Sequence, residues 1–220
     1  MFISNCSNIF VPNQLVNNGL KEKILALADK FFPETVDIRR YIHQHPELSF
    51  QEFETSEYVC KKLNEWGIEY KNNIVKTGIV AYIRGKNPDK KLLALRADMD
   101  ALPIKEENNL PYKSLNEGVM HACGHDTHVA ILMGVAEVLS QIKSDLKGTV
   151  KFLFQPAEEG APPGEEGGAA LMVKEGVMQN PKVDVAFGLH INSMTEVGKI
   201  RYRPRGEMAA SDEFIITVKG

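Results

Sequence analysis

The sequence predicts an α/β fold, a three-layer α/β/α sandwich around a mainly parallel mixed sheet. Short apolar runs alternate along the chain with segments of helical periodicity, a pattern typical of a sheet that helices cover on both faces. The runs that we interpret as strands are Ile79 to Ile83, Leu92 to Leu95, Val150 to Phe154 and Val183 to Leu189. With 220 residues, the chain is long enough to bury a sizeable core as one domain, or to form one domain and part of a second.

Helical segments are predicted around these strands. They are Leu20 to Phe32, Pro33 to His43, Glu52 to Trp66, a segment that begins near His125, and Gly168 to Glu175. Pro33 lacks the backbone N–H that a helix interior needs, so we expect it to separate the first two helices. Gly67 supplies the stop of the third helix. Three helices are therefore expected before the first strand.

Composition and charge argue against several classes of protein. The net charge of -3 offers no basic surface for nucleic acid and no polybasic patch for a membrane, so we expect neither partner. No apolar run approaches the length of a membrane span, and we interpret residues 1–19 as a flexible tail rather than a signal peptide. The three cysteines, Cys6, Cys60 and Cys123, are too few for a disulfide framework, which favours a cytoplasmic location.

The segment Met120 to His128 is the strongest chemical signal in the chain. It places the Cys123 thiol and the His125 imidazole two residues apart, and Gly124 permits the sharp turn that would aim both at one ion. The pair Asp126-Thr127 is expected to cap the helix that follows. A helix N-terminus and a bound cation would both favour the Cys123 thiolate. A buried free cysteine beside solvated histidines is the alternative for so short a motif.

Potential metal ligands also follow three of the predicted strands. Ligands of open α/β sheets bind beyond the carboxyl ends of the strands, so side chains at these points are expected to converge. These side chains are Asp98 and Asp100 after the second strand, Glu158 and Glu159 after the third, and His190 after the fourth. Acidic residues are common in solvated loops, and a histidine after an apolar run is usually a core residue. Only their joint occurrence with Cys123 and His125 indicates a site.

The acidic pairs suggest a division of roles. The adjacent Glu158 and Glu159 repel each other unless a cation or a proton lies between them. Neighbouring side chains diverge on an extended backbone, so one could bind metal while the other accepts a proton, as in metal-assisted hydrolysis. Asp98 and Asp100 share one face of an extended segment, where one could bind metal or orient a ligand histidine. A turn-forming pair of aspartates before Pro103 is an equal alternative.

The motifs closely resemble the aminoacylase, hippurate hydrolase and indoleacetyl-amino acid hydrolase family of dinuclear-metal amidohydrolases. The matching stretches are H-Q-H-P-E-L-S-F-Q-E from His43, L-R-A-D-M-D-A-L-P-I from Leu95, M-H-A-C-G-H-D-T-H from Met120, Q-P-A-E-E-G from Gln155 and G-L-H from Gly188. They occur in this order across most of residues 35 to 220. The resemblance implies a zinc-peptidase-like fold and hydrolysis of an N-acyl amino acid to a carboxylic acid and a free amino acid.

The resemblance also implies roles for individual residues. The metal ligands that it implies are Cys123, His125, Glu159 and His190. Glu158 matches the general base, Cys123 matches a ligand that bridges two metal ions, and Asp98 and Asp100 match aspartates that border the site. The cofactors would be two divalent ions. Thiolate favours zinc and carboxylates suit manganese, while cobalt and nickel also occur in the family.

The family carries a smaller lid and dimerisation domain after the segment that ends near Arg203. We therefore expect residues 20–203 to form the N-terminal part of a catalytic domain, and residues 204–220 to begin the lid with a strand from Ser211 to Gly220. The rest of the lid and the family's last ligand histidine lie beyond the sequence. A truncated enzyme with a weakened second metal position is expected, with a homodimer possible only at full family length. A catalytically inactive metal-binding fragment and a metallo-dipeptidase or aminopeptidase stay open as alternatives.

Overall fold

A computed structural model describes residues 18–202 and 216–219. The strands in these ranges are β1 (Glu69–Ile74), β2 (Gly78–Arg84), β3 (Leu92–Asp98), β4 (Thr149–Gln155) and β5 (Val185–Gly188). The helices are α1 (Asn18–Gln44), α2 (Phe53–Glu65), α3 (His125–Gln141) and α4 (Gly168–Lys174), with a single 3-10 turn at Lys143–Asp145. The described strands form one sheet in the order β1-β2-β4-β3-β5.

The direction of the strands brings three carboxyl ends to one edge of the sheet. β3 runs parallel to both β4 and β5, with Asp98 opposite Gln155 and Arg96 opposite Gly188. β2 pairs with β1 and with β4 in the antiparallel sense. The expected mixed sheet is therefore confirmed, although the described strands include as many antiparallel pairings as parallel ones. The loops that follow β3, β4 and β5 all leave from the same edge.

Apolar side chains fill both faces of the sheet. In β2, Ile79, Ala81 and Ile83 point toward α1, α2 and α3, while Val80 and Tyr82 point to the face covered by α4. This alternation follows from the two-residue period of a strand. Helices on both faces confirm the α/β/α sandwich. The larger core lies under α1, α2 and α3, and α3 begins in it at the edge where the strand ends meet.

The prediction that Pro33 separates two helices is wrong. α1 continues through Pro33 from residue 18 to residue 44, so two helices rather than three precede the first strand in the described ranges. Proline removes one backbone hydrogen bond, but packing against α3 retains the helix. The helices approach closely, because a Cβ added at Gly134 of α3 would lie 2.7 Å from Thr35 Oγ1. Ile38 and Ile42, beyond the proline, are both buried.

The other predicted elements are found, with one omission. The four apolar runs become β2 to β5, and the helices predicted from Glu52, His125 and Gly168 become α2, α3 and α4. β1 was not predicted because its sequence, E-Y-K-N-N-I, is polar, as an exposed edge strand allows. The N-cap of α3 is Gly124, with a φ of 98°, and not the expected Asp126-Thr127 pair.

Two expectations fall largely outside the described residues. Residues 1–17 of the expected N-terminal tail are not among them, and α1 already begins at residue 18. Most of the expected lid segment, residues 203–215 and 220, also lies outside them, and residues 216–219 belong to no helix or strand. Within the described part of the chain, no helix has both the length and the apolar character needed to cross a membrane.

Candidate metal centre

His125, the first residue of α3, lies at the centre of the strand ends. Its Nδ1 donates to the backbone carbonyl of Asp100 at 2.9 Å, which leaves Nε2 with a free lone pair. Nε2 is buried and has no hydrogen-bond partner among the described residues. It lies 3.6 Å from a carboxylate oxygen of each of three residues, Asp98, Glu158 and Glu159. The structure thus brings three of the predicted side chains around the unpaired nitrogen of a fourth, His125.

The distances around Nε2 fit a shared cation better than hydrogen bonds. At 3.6 Å the carboxylate oxygens are too far away to accept a normal hydrogen bond. Two atoms that bind one zinc-sized ion, each at about 2.0–2.2 Å, lie roughly 3 to 3.5 Å apart. An orphaned imidazole nitrogen that faces converging carboxylates therefore has the donor set of a divalent-metal site.

Cys123 and His190 extend the donor set. Cys123 Sγ lies 3.4 Å from His190 Nε2, and the ligand atoms of Cys123, His125 and His190 are all within 4.8 Å of one another. The Nδ1 of His190 donates to the carbonyl of Ile191 at 2.6 Å, so its Nε2 is free to face the sulfur. The alternative of a buried thiol beside solvated histidines does not describe this arrangement, because His125 is fully buried and His190 contacts the sulfur.

The charge around Cys123 is strongly negative. Burial and, to a smaller extent, the nearby carboxylates of Glu159, Glu158 and Asp98 together raise the pKa of the Cys123 thiol to about 12. The helix N-terminus does not by itself produce the expected thiolate. A cation is the partner that would both offset the carboxylates and hold the sulfur in its anionic form.

Asp98 is held by two donors on its far side. Its Oδ2 accepts from Arg96 Nη1 and its Oδ1 from His128 Nδ1, each at 2.6 Å. Burial alone would raise the pKa of Asp98, but the hydrogen bond from His128 and the Arg96 charge outweigh it and lower the pKa to about 2. Each oxygen of the buried carboxylate therefore accepts one hydrogen bond, and these two bonds fix the direction of Asp98.

Asp100 joins the two loops of the site. Its Oδ2 accepts from Ser49 Oγ at 2.8 Å and from the backbone N–H of Glu159 at 2.9 Å, while its carbonyl orients His125. Burial would raise the pKa of Asp100, but the hydrogen bonds from His125 and from the backbone N–H groups of Glu159 and Glu158 lower it. One aspartate thus fixes both the imidazole and the Glu158-Glu159 loop.

A buried carboxylate supports the same loop from below. Glu52 Oε1 accepts the backbone N–H of Ala157 at 2.9 Å, and Oε2 accepts from Thr77 Oγ1 at 2.6 Å. Ala157 has a φ of 47°, an uncommon conformation for a residue with a Cβ. Burial raises the pKa of Glu52 despite these hydrogen bonds. Glu52 holds the strained turn that presents Glu158.

Asp126 ties the start of α3 to α1 instead of capping it. Its Oδ2 accepts from Arg39 Nε and from His43 Nδ1, both at 2.8 Å. The hydrogen bond to Asp126 raises the pKa of His43, which also lies 3.2 Å from Glu106 Oε1. From the sequence, His43 is expected to be a helix-end residue, with pocket lining as the alternative. A buried cluster of charges therefore anchors the residue next to His125.

The structure brings together every residue proposed for the site from the sequence: Asp98, Asp100, Cys123, His125, Glu158, Glu159 and His190. The residues that sequence reasoning missed are those behind them: Ser49, Glu52, Arg96 and His128. Of these, only His128 carried a signal, because it lies three residues after His125 and so shares its face of the helix.

The fold and the donor set define an α/β protein with a divalent-metal centre at the carboxyl edge of its sheet. A family model, Peptidase family M20/M25/M40, matches residues 94–214, which is more than half of the chain. The chain belongs to this family. Its family and its donor set both indicate a divalent-metal cofactor.

Known relatives agree with this assignment. The chain is 46% identical over 200 residues to an N-acyl-L-amino acid amidohydrolase of Geobacillus stearothermophilus, covering 91% of the chain and 52% of that protein. It is 44% identical to an N-acetylcysteine deacetylase of Bacillus subtilis, covering 88% and 50%. The solved structure of Bacillus subtilis YXEP, described as a dinuclear metal binding peptidase from the M20 family, superposes with a TM-score of 0.69 at 43% identity. That superposition covers 79% of this chain and 45% of YXEP. The chain thus spans about half the length of the curated relatives it matches.

Proposed function

We propose that this chain carries the catalytic metal site of a hydrolase that cleaves the amide bond of N-acyl amino acids. The observation that carries the proposal is the unpaired His125 Nε2, which faces three carboxylates beside the Cys123 and His190 pair. Relatives named for N-acyl amino acid and N-acetylcysteine hydrolysis support this substrate class. The products would be a carboxylic acid and a free amino acid.

The proposed ligands are Cys123, His125, Glu159 and His190, and Cys123 would lie between two ions. Divalent ions bound there supply Lewis acidity, which polarises an amide carbonyl and lowers the pKa of water. Zinc and manganese are the metals that we propose, because the thiol suits zinc and the carboxylates suit manganese. Asp98 and Asp100 would orient the ligands without binding metal themselves.

Glu158 is the proposed general base. Both glutamates lie 3.6 Å from His125 Nε2, so this distance does not distinguish them. Glu159 contributes more than Glu158 to the raised pKa of the Cys123 thiol, and its side chain is 21% exposed compared with 36% for Glu158. Glu158 is thus the freer carboxylate. Its oxygen would accept a proton from the attacking water and pass it to the leaving nitrogen.

The first test is a hydrolysis assay of the 220-residue chain with N-acetyl amino acids and N-benzoylglycine. Activity should disappear with a chelator and return with zinc or manganese. Glu158→Gln should lower kcat by about 10²- to 10⁴-fold, because the amide cannot accept the proton. Glu166→Gln is the matched control, since Glu166 follows in the same glycine-rich segment but pairs with Lys174 on the surface.

The alternatives predict different results in the same assay. A metallo-dipeptidase or aminopeptidase would prefer substrates with a free amine over acylated ones. A catalytically inactive metal-binding chain would bind zinc and hydrolyse neither substrate. Either result, or a Glu158→Gln variant as active as the unchanged chain, would contradict the proposal.

A further inference from the structure

His128 lies close enough to the metal centre to be taken for one of its ligands. One of its ring nitrogens and one ligand atom each of Asp98 and His125 lie within 4.8 Å of one another, a range over which one ion could join all three side chains. It is also in edge contact with the His190 ring, at 4.7 Å between centroids. Whether His128 can bind a metal ion depends on what its two ring nitrogens already bind.

Both ring nitrogens of His128 are occupied. Nδ1 lies 2.6 Å from Asp98 Oδ1, and a carboxylate can only accept, so Nδ1 carries the hydrogen. Nε2 lies 2.9 Å from the backbone nitrogen of Ile191, which can only donate, so Nε2 supplies the lone pair. The two hydrogen bonds require the same neutral tautomer. No lone pair is left for a metal ion.

The backbone of Ile191 connects this hydrogen bond to His190, because its N–H binds His128 while its carbonyl binds His190. Its carbonyl accepts from His190 Nδ1 at 2.6 Å, which turns His190 Nε2 toward Cys123 Sγ, 3.4 Å away. The side chain of Ile191 is fixed as well, because its Cγ2 fills the space where a Cβ on Gly124 would lie. The contacts thus run from Asp98 through His128 and Ile191 to His190.

We propose that His128 is a positioning residue that sets the tautomer and direction of His190 by holding the backbone of Ile191 at its N–H. The inference rests on the proposed metal site, since it assigns His190 a lone pair aimed at that site. Hydrogen bonds behind a metal ligand fix its orientation, and their removal typically lowers metal affinity by about 10- to 100-fold. His128 does not contact His190 by a hydrogen bond of its own in this scheme, but binds the backbone N–H of Ile191, whose carbonyl binds His190.

The tautomers can be measured without metal and without activity. In the ¹⁵N-labelled 220-residue chain at about pH 8, above the ordinary pKa of imidazole, two-bond nitrogen–proton correlations distinguish Nδ1–H from Nε2–H. His128 and His190 should both be Nδ1–H. An Nε2–H tautomer for His128 in the unchanged chain would overturn the positioning role directly, whatever the variants do.

Two variants of His128 separate its two hydrogen bonds. His128→Gln can place an amide oxygen where Nε2 lies and accept the Ile191 N–H, whereas His128→Asn can donate to Asp98 but is too short to reach Ile191. We expect His190 to keep the Nδ1–H tautomer in the Gln variant and to lose it in the Asn variant. If both variants keep it, or both lose it, His128 does not act through Ile191.

Metal titration gives the second measurement. Affinity for Co²⁺ alone should fall by about 10- to 100-fold in His128→Asn and stay near that of the unchanged chain in His128→Gln. A merely structural role would instead make affinity follow the melting temperature of each metal-free variant. If the unchanged chain bound no Co²⁺, the proposed metal centre itself would be contradicted. An Nε2–H tautomer of His128 would contradict the positioning role but not the metal centre.

Discussion

The two halves of the site differ in how they are held. The core half, Asp98, Asp100 and His125, is almost fully buried and fixed by hydrogen bonds from several elements. The edge half, His190 and Ile191, follows β5, whose residues are all exposed. It meets the rest of the site through one backbone hydrogen bond to His128, through contacts of the His190 ring with Cys123 and His128, and through one contact of Ile191 with Gly124. Preorganised ligands bind metal without paying for their own ordering. The difference shows that one half is prepared before metal arrives and the other is completed by few contacts.

The largest expected effect is in the core half. Asp98→Asn removes a buried carboxylate that pairs with Arg96 and His128, and loss of one partner in a buried pair typically costs about 3–5 kcal/mol. Urea unfolding would measure the loss. Because the folded pKa of Asp98 is lowered to about 2, its stabilisation is present above the ordinary pKa of 3.8 and is lost as pH falls toward 2. The difference in unfolding free energy between Asp98→Asn and the unchanged chain should therefore narrow as the pH falls from 3.8 toward 2.

Asp145→Asn is the control for this experiment. Asp145 pairs with Lys23 at the surface, where an ion pair is screened by solvent, so little change in unfolding is expected. A constant gap between Asp98→Asn and the unchanged chain from pH 7 to pH 2 would show that the carboxylate charge does not stabilise the core half.

The next effect compares one ligand from each half. His125→Ala should weaken zinc binding by more than about a hundredfold, because it removes a fixed nitrogen at the meeting point of three carboxylates. His190→Ala should weaken zinc binding by nearer tenfold, because ordering an exposed segment offsets part of the affinity that His190 supplies. Competition with a chelating dye would measure both affinities, with His45→Ala as a control outside the site. Equal losses of zinc affinity in the two variants would show that the core half and the edge half do not differ in preorganisation.

The smallest effect tests the contact between the halves. In Gly124→Ala the new Cβ meets Ile191 Cγ2 and the φ of 98° is strained, so a loss of about 1–3 kcal/mol in unfolding free energy is expected. Adding Ile191→Ala to the Gly124→Ala chain should restore the part of the unfolding free energy that the clash removes. Gly118→Ala isolates the strain, because its φ is 80° and nothing lies within 4 Å of the added Cβ. Additive effects of the two substitutions would mean that the contact does not couple the halves.

The sequence was sufficient for the layers of the fold but not for its helix and strand limits. Apolar runs reveal β2, β3 and β4 because these strands bury at least one face, and β5 because its sequence is apolar although its residues are exposed. The polar β1 has no such pattern. Pro33 removes one hydrogen bond, and only the close approach of α1 to α3 at Gly134 explains why the helix continues through it. That contact joins residues about a hundred positions apart, which local patterns do not report.

In the site, the ligand atoms were predictable and their supports were not. Thiol, imidazole and carboxylates at strand ends are recognisable by residue type, because few other side chains bind metal. Glu52 and Ser49 act through backbone and carboxylate atoms of distant residues, so their roles depend on the folded geometry. The exception, His128, could have been found from its helical spacing to His125, but its tautomer could not.

The open side of β5 affects how this chain behaves at high concentration. Val185 and Phe187 are 51% and 61% exposed, and the backbone groups that face away from β3 pair with no other strand in the described ranges. Such an edge is a template for a strand of another molecule. At high concentration we therefore expect this edge to pair with a strand of a second molecule, next to the segment that carries His190. In dilute solution, the segment that carries His190 would have the contacts of a single molecule.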